Sequence, residues 1–281
     1  MRENLWRDIS TIAFIVAICV ILIIVLQEAN GFSIVTVGDI SCNHESLTTM
    51  NAIINYTTLH KVDRFVFLGD LQYAGSYNAC VNGFFKELQK HTTIRGVIGN
   101  HDGHLLWHNV TKTFPTISKN LVWNETVDGV LLLGMNTNEP WNQTSQQYKQ
   151  VVNVLDTTVA EYKLVFMHKH SIDNCRPDKD RFMCGFYQLY NPVFQQYKVD
   201  CVISGHLHTV AILESDGMCY AIYGMGGATP YAIRHGFFGT HVEYKSIQEH
   251  GFVVIDKMNG GLMHSFYTNS GNLIRKHFAE K

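Results

Sequence analysis

Six short apolar runs in this chain each stop at a glycine or at side chains that hold metals and protons. They are FSIVTVGD (32–39), RFVFLGD (64–70), RGVIGNHD (95–102), GVLLLGMN (129–136), YKLVFMHKH (162–170) and VDCVISGHLH (199–208). Short runs rich in Val, Ile and Phe, bounded by Gly or polar clusters, read as strands. Between several of them lie helix-length segments, 44–60, 77–91 and 144–160. In the last, Tyr148, Val151, Val152, Leu155 and Val159 recur at a 3–4 spacing. Alternation of this kind predicts an α/β domain with largely parallel, buried strands. Ligands bind outside the carboxyl ends of the strands of open α/β sheets. The candidate site is therefore the set of polar residues that close the runs: Asp39, Asp70 with Tyr73, Asn100 with His101 and Asp102, His168, and His206 with His208.

After residue 215 the pattern changes. MCYAIYGMGG (218–227), GFVVIDKM (251–258) and LMHSFYT (262–268) read as strands joined by turns, with Asn259-Gly260-Gly261 as a hairpin signal. Antiparallel strands here are expected to complete a second sheet. There is no internal repeat and no low-complexity tract, so residues 31–281 read as one globular domain.

Composition narrows the class. A formal net charge of −2 excludes the basic excess typical of nucleic-acid binders. Charged residues at 16% and apolar residues at 46% exclude a disordered chain. Fifteen histidines raise the question of a metal, because imidazole is the commonest metal ligand.

The N-terminus carries a different signal. Ile9 to Leu26 contains no charged residue, Pro or Gly. At 1.5 Å per residue it spans about 27 Å, close to the hydrocarbon core. It exceeds the usual h-region of a signal peptide. Arg2 and Arg7 precede it, and the next basic residue is Lys61. The expectation is a cytoplasmic tail (1–8), a transmembrane signal-anchor (9–28) and a type II single-pass protein with its domain lumenal or extracellular. Secretion after signal cleavage is the alternative. Sequons at Asn55, Asn109, Asn124 and Asn142 are glycosylation candidates that agree with either. Seven cysteines include Cys19 in the apolar segment and an even six beyond it. Cys175 and Cys184, in the loop-like stretch DNCRPDKDRFMCG, are the candidate disulfide. Cys201, in an apolar run, reads equally as a buried thiol.

Gly38-Asp39, Gly69-Asp70-Leu-Gln-Tyr73, Gly99-Asn100-His101-Asp102, His168 and Gly205-His206-Leu-His208 resemble the five motifs of the calcineurin-like metallophosphoesterases. The resemblance runs from about residue 33 to 208. Many members carry Asp-x-His in the first motif; here Ser41 stands at that histidine. Tyr73 stands three residues after Asp70, as in purple acid phosphatases, where a tyrosine supplies a ligand. The compact form of that branch is the nearer match. The resemblance implies a four-layer α/β/β/α sandwich of two mixed sheets flanked by helices, here preceded by the transmembrane helix.

It also implies two metal ions. Asp70 would bridge them. Asp39, Tyr73 and His208 would complete one site, and Asn100, His168 and His206 the other. A phenolate suits Fe(III), while imidazoles and an amide suit Zn, Fe(II) or Mn(II). Three anionic donors against an Fe(III)/M(II) pair leave a positive centre for a phosphate ester. His101 would be catalytic, protonating the leaving group or bonding the transition state. Asp102 would be a carboxylate that His101 orients, or would itself orient a ligand histidine. His170 and Asn100 would meet substrate. Gly224-Met-Gly-Gly227 reads as a tight turn. The implied function is a membrane-anchored phosphatase that hydrolyses phosphomonoesters with a hydroxide held by the metal pair. The alternatives are a phosphodiesterase acting on a nucleotide or lipid head group, and a catalytically idle surface binding protein on the same scaffold.

Overall fold

The computed structural model describes residues 31–71, 73, 81–115, 117, 120, 122–169, 181–215, 217–230 and 249–281. Among these, no helix is long and apolar enough to cross a membrane. The expected anchor at 9–28 lies outside the described residues, as do His170 and Cys175 and the side chain of Cys184.

Twelve strands and five helices are described. The first sheet has the order β12-β11-β10-β1-β2-β3. It contains β1 (Ser33–Val37), β2 (Arg64–Phe67), β3 (Thr93–Gly96), β10 (Gly251–Met258), β11 (Gly261–Thr268) and β12 (Leu273–Glu280). The second has the order β4-β5-β6-β7-β9-β8. Its strands are β4 (Val122–Val127), β5 (Val130–Met135), β6 (Tyr162–Met167), β7 (Cys201–Ser204), β8 (Val210–Ser215) and β9 (Met218–Tyr223). The first sheet is parallel over β1-β2-β3, which reaches its β3 edge, and antiparallel from β1 through β10 and β11 to β12. The second is parallel at its centre, β5-β6-β7-β9, and antiparallel at both margins.

The strand period of two divides the apolar residues between three cores. Ile34, Val66 and Leu68 of the first sheet meet Leu132, Leu164, Phe166 and Ile203 of the second. Their neighbours Val35, Val37, Phe65 and Phe67 face the other way. They pack on helices α1 (His44–Leu59), α2 (Gly83–Leu88) and α3 (His104–Thr113) through Met50, Ile53, Phe85 and Val110. Leu131, Leu133 and Val165 pack on α4 (Gln146–Thr157) and α5 (Arg181–Gln196) through Val151, Leu155, Phe186 and Phe194. The result is the expected α/β/β/α sandwich.

Several expectations need correction. The antiparallel strands after residue 215 do not complete the second sheet. Only β9 joins it, parallel to β7, while β10 to β12 extend the first sheet beside β1. The third run reaches only Gly96 as a strand. Val159 is 97% exposed, because α4 ends at Thr157 and its apolar face ends with it. The loop-like stretch before residue 185 is helical from Arg181. Cys201 is no free thiol: it forms a disulfide with Cys219, its register partner on β9. Cys42 is disulfide-bonded as well.

The two sheets are tied at one margin. Glu125 on β4 accepts from Arg64 at 2.7 Å and from Arg95 at 2.9 Å, and Trp123 donates its indole N–H to the Gly96 carbonyl at 2.8 Å. Multidentate Arg–carboxylate contacts of this kind have fixed geometry. This matters because the candidate site straddles the seam between the sheets.

Candidate metal centre

Three donors leave their strands through the left-handed backbone region: Asp39 (φ 64°), Asp70 (φ 53°) and His206 (φ 70°). That region is uncommon for residues other than Gly and concentrates at functional sites. Each abrupt turn aims a side chain back over the sheet end. Gly69 (φ +84°) and Gly99 make the approach possible. A Cβ on Gly69 would sit 2.8 Å from His168 Nδ1, and one on Gly99 would run into the Asp70 amide and carboxylate.

The first cluster is built around the Tyr73 hydroxyl. It lies 2.7 Å from Asp39 Oδ1, 2.6 Å from Asp70 Oδ2 and 2.8 Å from His208 Nε2. His208 Nδ1 sits 2.8 Å from the Thr229 carbonyl, which can only accept, so the ring's lone pair is on Nε2. The phenol thus has one hydrogen and three acceptors around it. A cation at their centre resolves that conflict. Burial, then the charges of Asp39 and Asp70, push the Tyr73 phenol far above its ordinary pKa. It ionises only beside a strong Lewis acid. Burial also pushes Asp39 up to about 7.

The second cluster shares Asp70. His168 donates Nδ1–H to the Leu68 carbonyl at 2.7 Å. This turns Nε2 toward Asp70 Oδ2 at 3.2 Å and Asn100 Oδ1 at 3.1 Å. Donor atoms of Asp70, His168 and His206 all lie within 4.8 Å of one another. The rings of His168 and His206 are 5.1 Å apart. Burial opposes charging His168, but the Asp70 and Asp39 carboxylates outweigh it and hold the ring at about 9. A proton there takes the place a metal would fill. For Asp70, burial acts upward, and His168 and Tyr73 outweigh it to hold the carboxyl down at about 2.

All seven residues proposed as ligands from the sequence therefore come together in two groups that share Asp70. His101 is exposed, its backbone N–H is 2.8 Å from Asp70 Oδ1, and its ring lies 4.5 Å from that of Tyr73. Asn100 is also exposed, as a substrate-facing ligand would be.

Asp102 does something other than orient a histidine. It is buried and accepts from the backbone N–H groups of Asp70 (3.0 Å), Leu71 (2.6 Å) and Gly99 (2.6 Å). It clamps the loop after β2 to the loop after β3. The glycine segment 224–227 is more than a tight turn. Gly226 N–H donates to the Gly38 carbonyl and Ala228 N–H to the Asp39 carbonyl, so the segment braces the first ligand loop. The carbonyls of Leu68 and Thr229, which set the two imidazoles, leave no trace in residue type and were missed. A second cluster, Cys201, Cys219 and His264, also has donor atoms within 4.8 Å. Its sulfurs are bonded to each other, which leaves no thiolate to ligate.

The model of the calcineurin-like phosphoesterases matches residues 32–210, and the chain belongs to that family, one of hydrolases acting on phosphoric esters. Such enzymes bind a dinuclear metal centre, which the donor set just described fits. Among solved structures, the chain is similar to the purple acid phosphatase PPD1 from yellow lupin (Lupinus luteus) seeds. The TM-score is 0.74 at 17% identity, over 90% of this chain and 54% of that one. The chain thus spans about half the length of the lupin protein. It is also similar to GAP50, the anchor in the inner membrane complex of Plasmodium, with a TM-score of 0.70 at 14% identity over 89% and 88% of the two chains. PhoD follows with a TM-score of 0.61 at 10% identity, over 88% of this chain and 68% of that one. Comparison with curated protein sequences gives no match.

Proposed function

We propose that this protein is a metal-dependent phosphomonoesterase of the purple acid phosphatase type, anchored by residues 9–28 with its catalytic domain outside the cytoplasm. One observation carries the reading: the Tyr73 hydroxyl packed against Asp39, Asp70 and His208 with one hydrogen for three acceptors. Asp39, Asp70, Tyr73 and His208 would hold Fe(III), and Asp70, Asn100, His168 and His206 would hold Zn, Fe(II) or Mn(II). When bound, the ion pair supplies a Lewis acid for the phosphoryl oxygens and lowers the pKa of water. Asp102 keeps Asp70 in place between the two groups of donors. His101, exposed above them, delivers a proton to the departing alkoxide. His170 is proposed as a further substrate contact.

The test is metal analysis of the purified full chain with a panel of phosphomonoesters and phosphodiesters. Two metals per chain, monoester preference and a visible absorption band that Tyr73→Phe removes are expected. Zn or Mn in both sites of a colourless, active protein rejects the iron. Preference for diesters rejects the monoester assignment. His101→Ala separates the roles further: turnover falls about 10²-fold or more with metal content unchanged.

The likeness to GAP50, the anchor in the inner membrane complex of Plasmodium, favours a second reading, an idle scaffold that binds a partner. It predicts a chain that binds no metal and hydrolyses none of the panel.

A further inference from the structure

Along α1, formed by none of the metal donors, runs a groove of about 450 Å³. Its lining includes four rings, with His60 stacked on one face of Tyr56 at 4.2 Å. Phe252 and Tyr267 are stacked at 5.3 Å with planes 8° apart, and Tyr56 lies 5.1 Å from Tyr267. Amides stand beside them, Asn51 and Asn55 from α1 and Asn269 from the turn after β11, the last held by Glu45 at 2.8 Å. Leu59 adds an apolar side chain that is 78% exposed. Among the described residues, no Asp, Glu, Lys or Arg lines the groove.

Flat rings beside uncharged amides match a neutral pyranose. The sugar's C–H face packs on aromatic surface, and its hydroxyls take the amides' donors and acceptors. Apart from the His60 imidazole, no cationic group among the described residues lines the groove to draw a phosphorylated or ionic ligand. The sequence itself supplies the source of such a sugar. Asn55 lines the groove, is exposed, and heads the sequon Asn55-Tyr56-Thr57. Asn109, Asn124 and Asn142 are exposed too, but none of them lines it.

We propose that Asn55 carries an N-linked glycan whose first neutral sugars lie in this groove against Tyr56 and Tyr267. This rests on the proposed placement of the domain outside the cytoplasm. Attachment forms a bond between Asn55 Nδ2 and the anomeric carbon of a lipid-pyrophosphate-linked sugar; the lipid pyrophosphate leaves and Nδ2 gives up one proton. Thr57, which the sequon requires, is 5% exposed and bonded to the Ile54 carbonyl in the folded helix. The sugar is therefore added before α1 folds, and the groove closes on it afterwards.

The experiment uses the full chain made in a glycosylating host. Occupancy at each sequon is read by peptide mass spectrometry. Hydroxyl-radical labelling of Tyr56 and Tyr267 is compared between the wild type and Asn55→Gln. The expected result is occupancy at Asn55 and labelling of both tyrosines that rises several-fold in Asn55→Gln. The melting temperature should fall by about 2–4 °C in that variant, while Asn142→Gln leaves the labelling unchanged. An unmodified Asn55 beside occupied sequons elsewhere overturns the proposal alone, and so does an occupied Asn55 with unchanged tyrosine labelling. Four unmodified sequons overturn it together with the membrane placement. Hydrolysis measured on the same sample reports separately on the phosphatase reading.

Discussion

The two sheets contribute different chemistry to one site. The first sheet's strand ends supply oxygen: Asp39 after β1, Asp70 and Tyr73 after β2, Asn100 after β3. The second supplies nitrogen: His168 after β6, then His206 and His208 after β7. The oxygen half carries the negative charge and needs a cation, while the nitrogen half arrives with its rings already turned by backbone carbonyls. Neither half makes a site alone. Each cluster takes at least one donor from each sheet, and Asp70 belongs to both. The two clusters are unequal, one richer in anionic oxygen and the other in imidazole nitrogen.

Variants that break the halves separately sharpen this contrast. Removing the shared oxygen is the severest test. Asp70→Ala is expected to lose both ions and at least about 10³ in turnover, as measured by metal content and rate; a variant that retains both metals defeats the bridging role. Next is the clamp on the oxygen half. Asp102→Ala strands three buried backbone N–H groups, at a cost of about 3–4 kcal/mol, and should lower the melting temperature by on the order of 10 °C. A melting temperature equal to wild type would mean the clamp is idle. On the nitrogen side the loss should be smaller. His206→Ala is expected to release one ion, keep the other, and slow turnover about 10²-fold; loss of both ions would show that the halves do not fill independently.

The smallest effect concerns a buried histidine on β11 that is none of the seven candidate donors. His264 is fully buried, its Nδ1 bonded to the Tyr223 hydroxyl at 2.5 Å, and burial, with help from His277, lowers its pKa to about 3. The folded ring stays neutral where the unfolded ring, near 6.5, takes up a proton. Stability from this residue is therefore present above pH 6.5 and is lost as pH falls toward 3, by roughly 1 kcal/mol per pH unit. Melting curves between pH 4 and 7 should show a shallower slope in His264→Leu; an unchanged slope would remove His264 from the acid response.

The donors were legible because each one closes an apolar run, and a run that ends in Gly and a ligand is a local pattern. Tyr73 lies three residues past the end of its run and was legible as a donor only through the resemblance to purple acid phosphatases, paired with Ser41 where a histidine is usual. The elements that escaped had no such pattern. β4 and β12 lie at sheet edges, where exposed residues such as Glu280 and Asn124 interrupt the apolar count. Helix α5 holds Pro192, a residue that argues against helix from sequence. The side to which β10 to β12 attach was not legible either, since an antiparallel hairpin looks the same on either sheet.

By itself, the sequence determined the strand class, the motifs that resemble the family and the residue types at the run ends, because side-chain chemistry and the period of two are properties of neighbouring residues. The tertiary structure alone decided what those donors face. Asp102 binds three amides instead of a histidine, Leu68 and Thr229 turn the imidazoles with carbonyls that every residue has, and Cys201 meets Cys219 across a register. Those pairings join residues up to 100 positions apart. They depend on how two sheets stack, which no local pattern encodes.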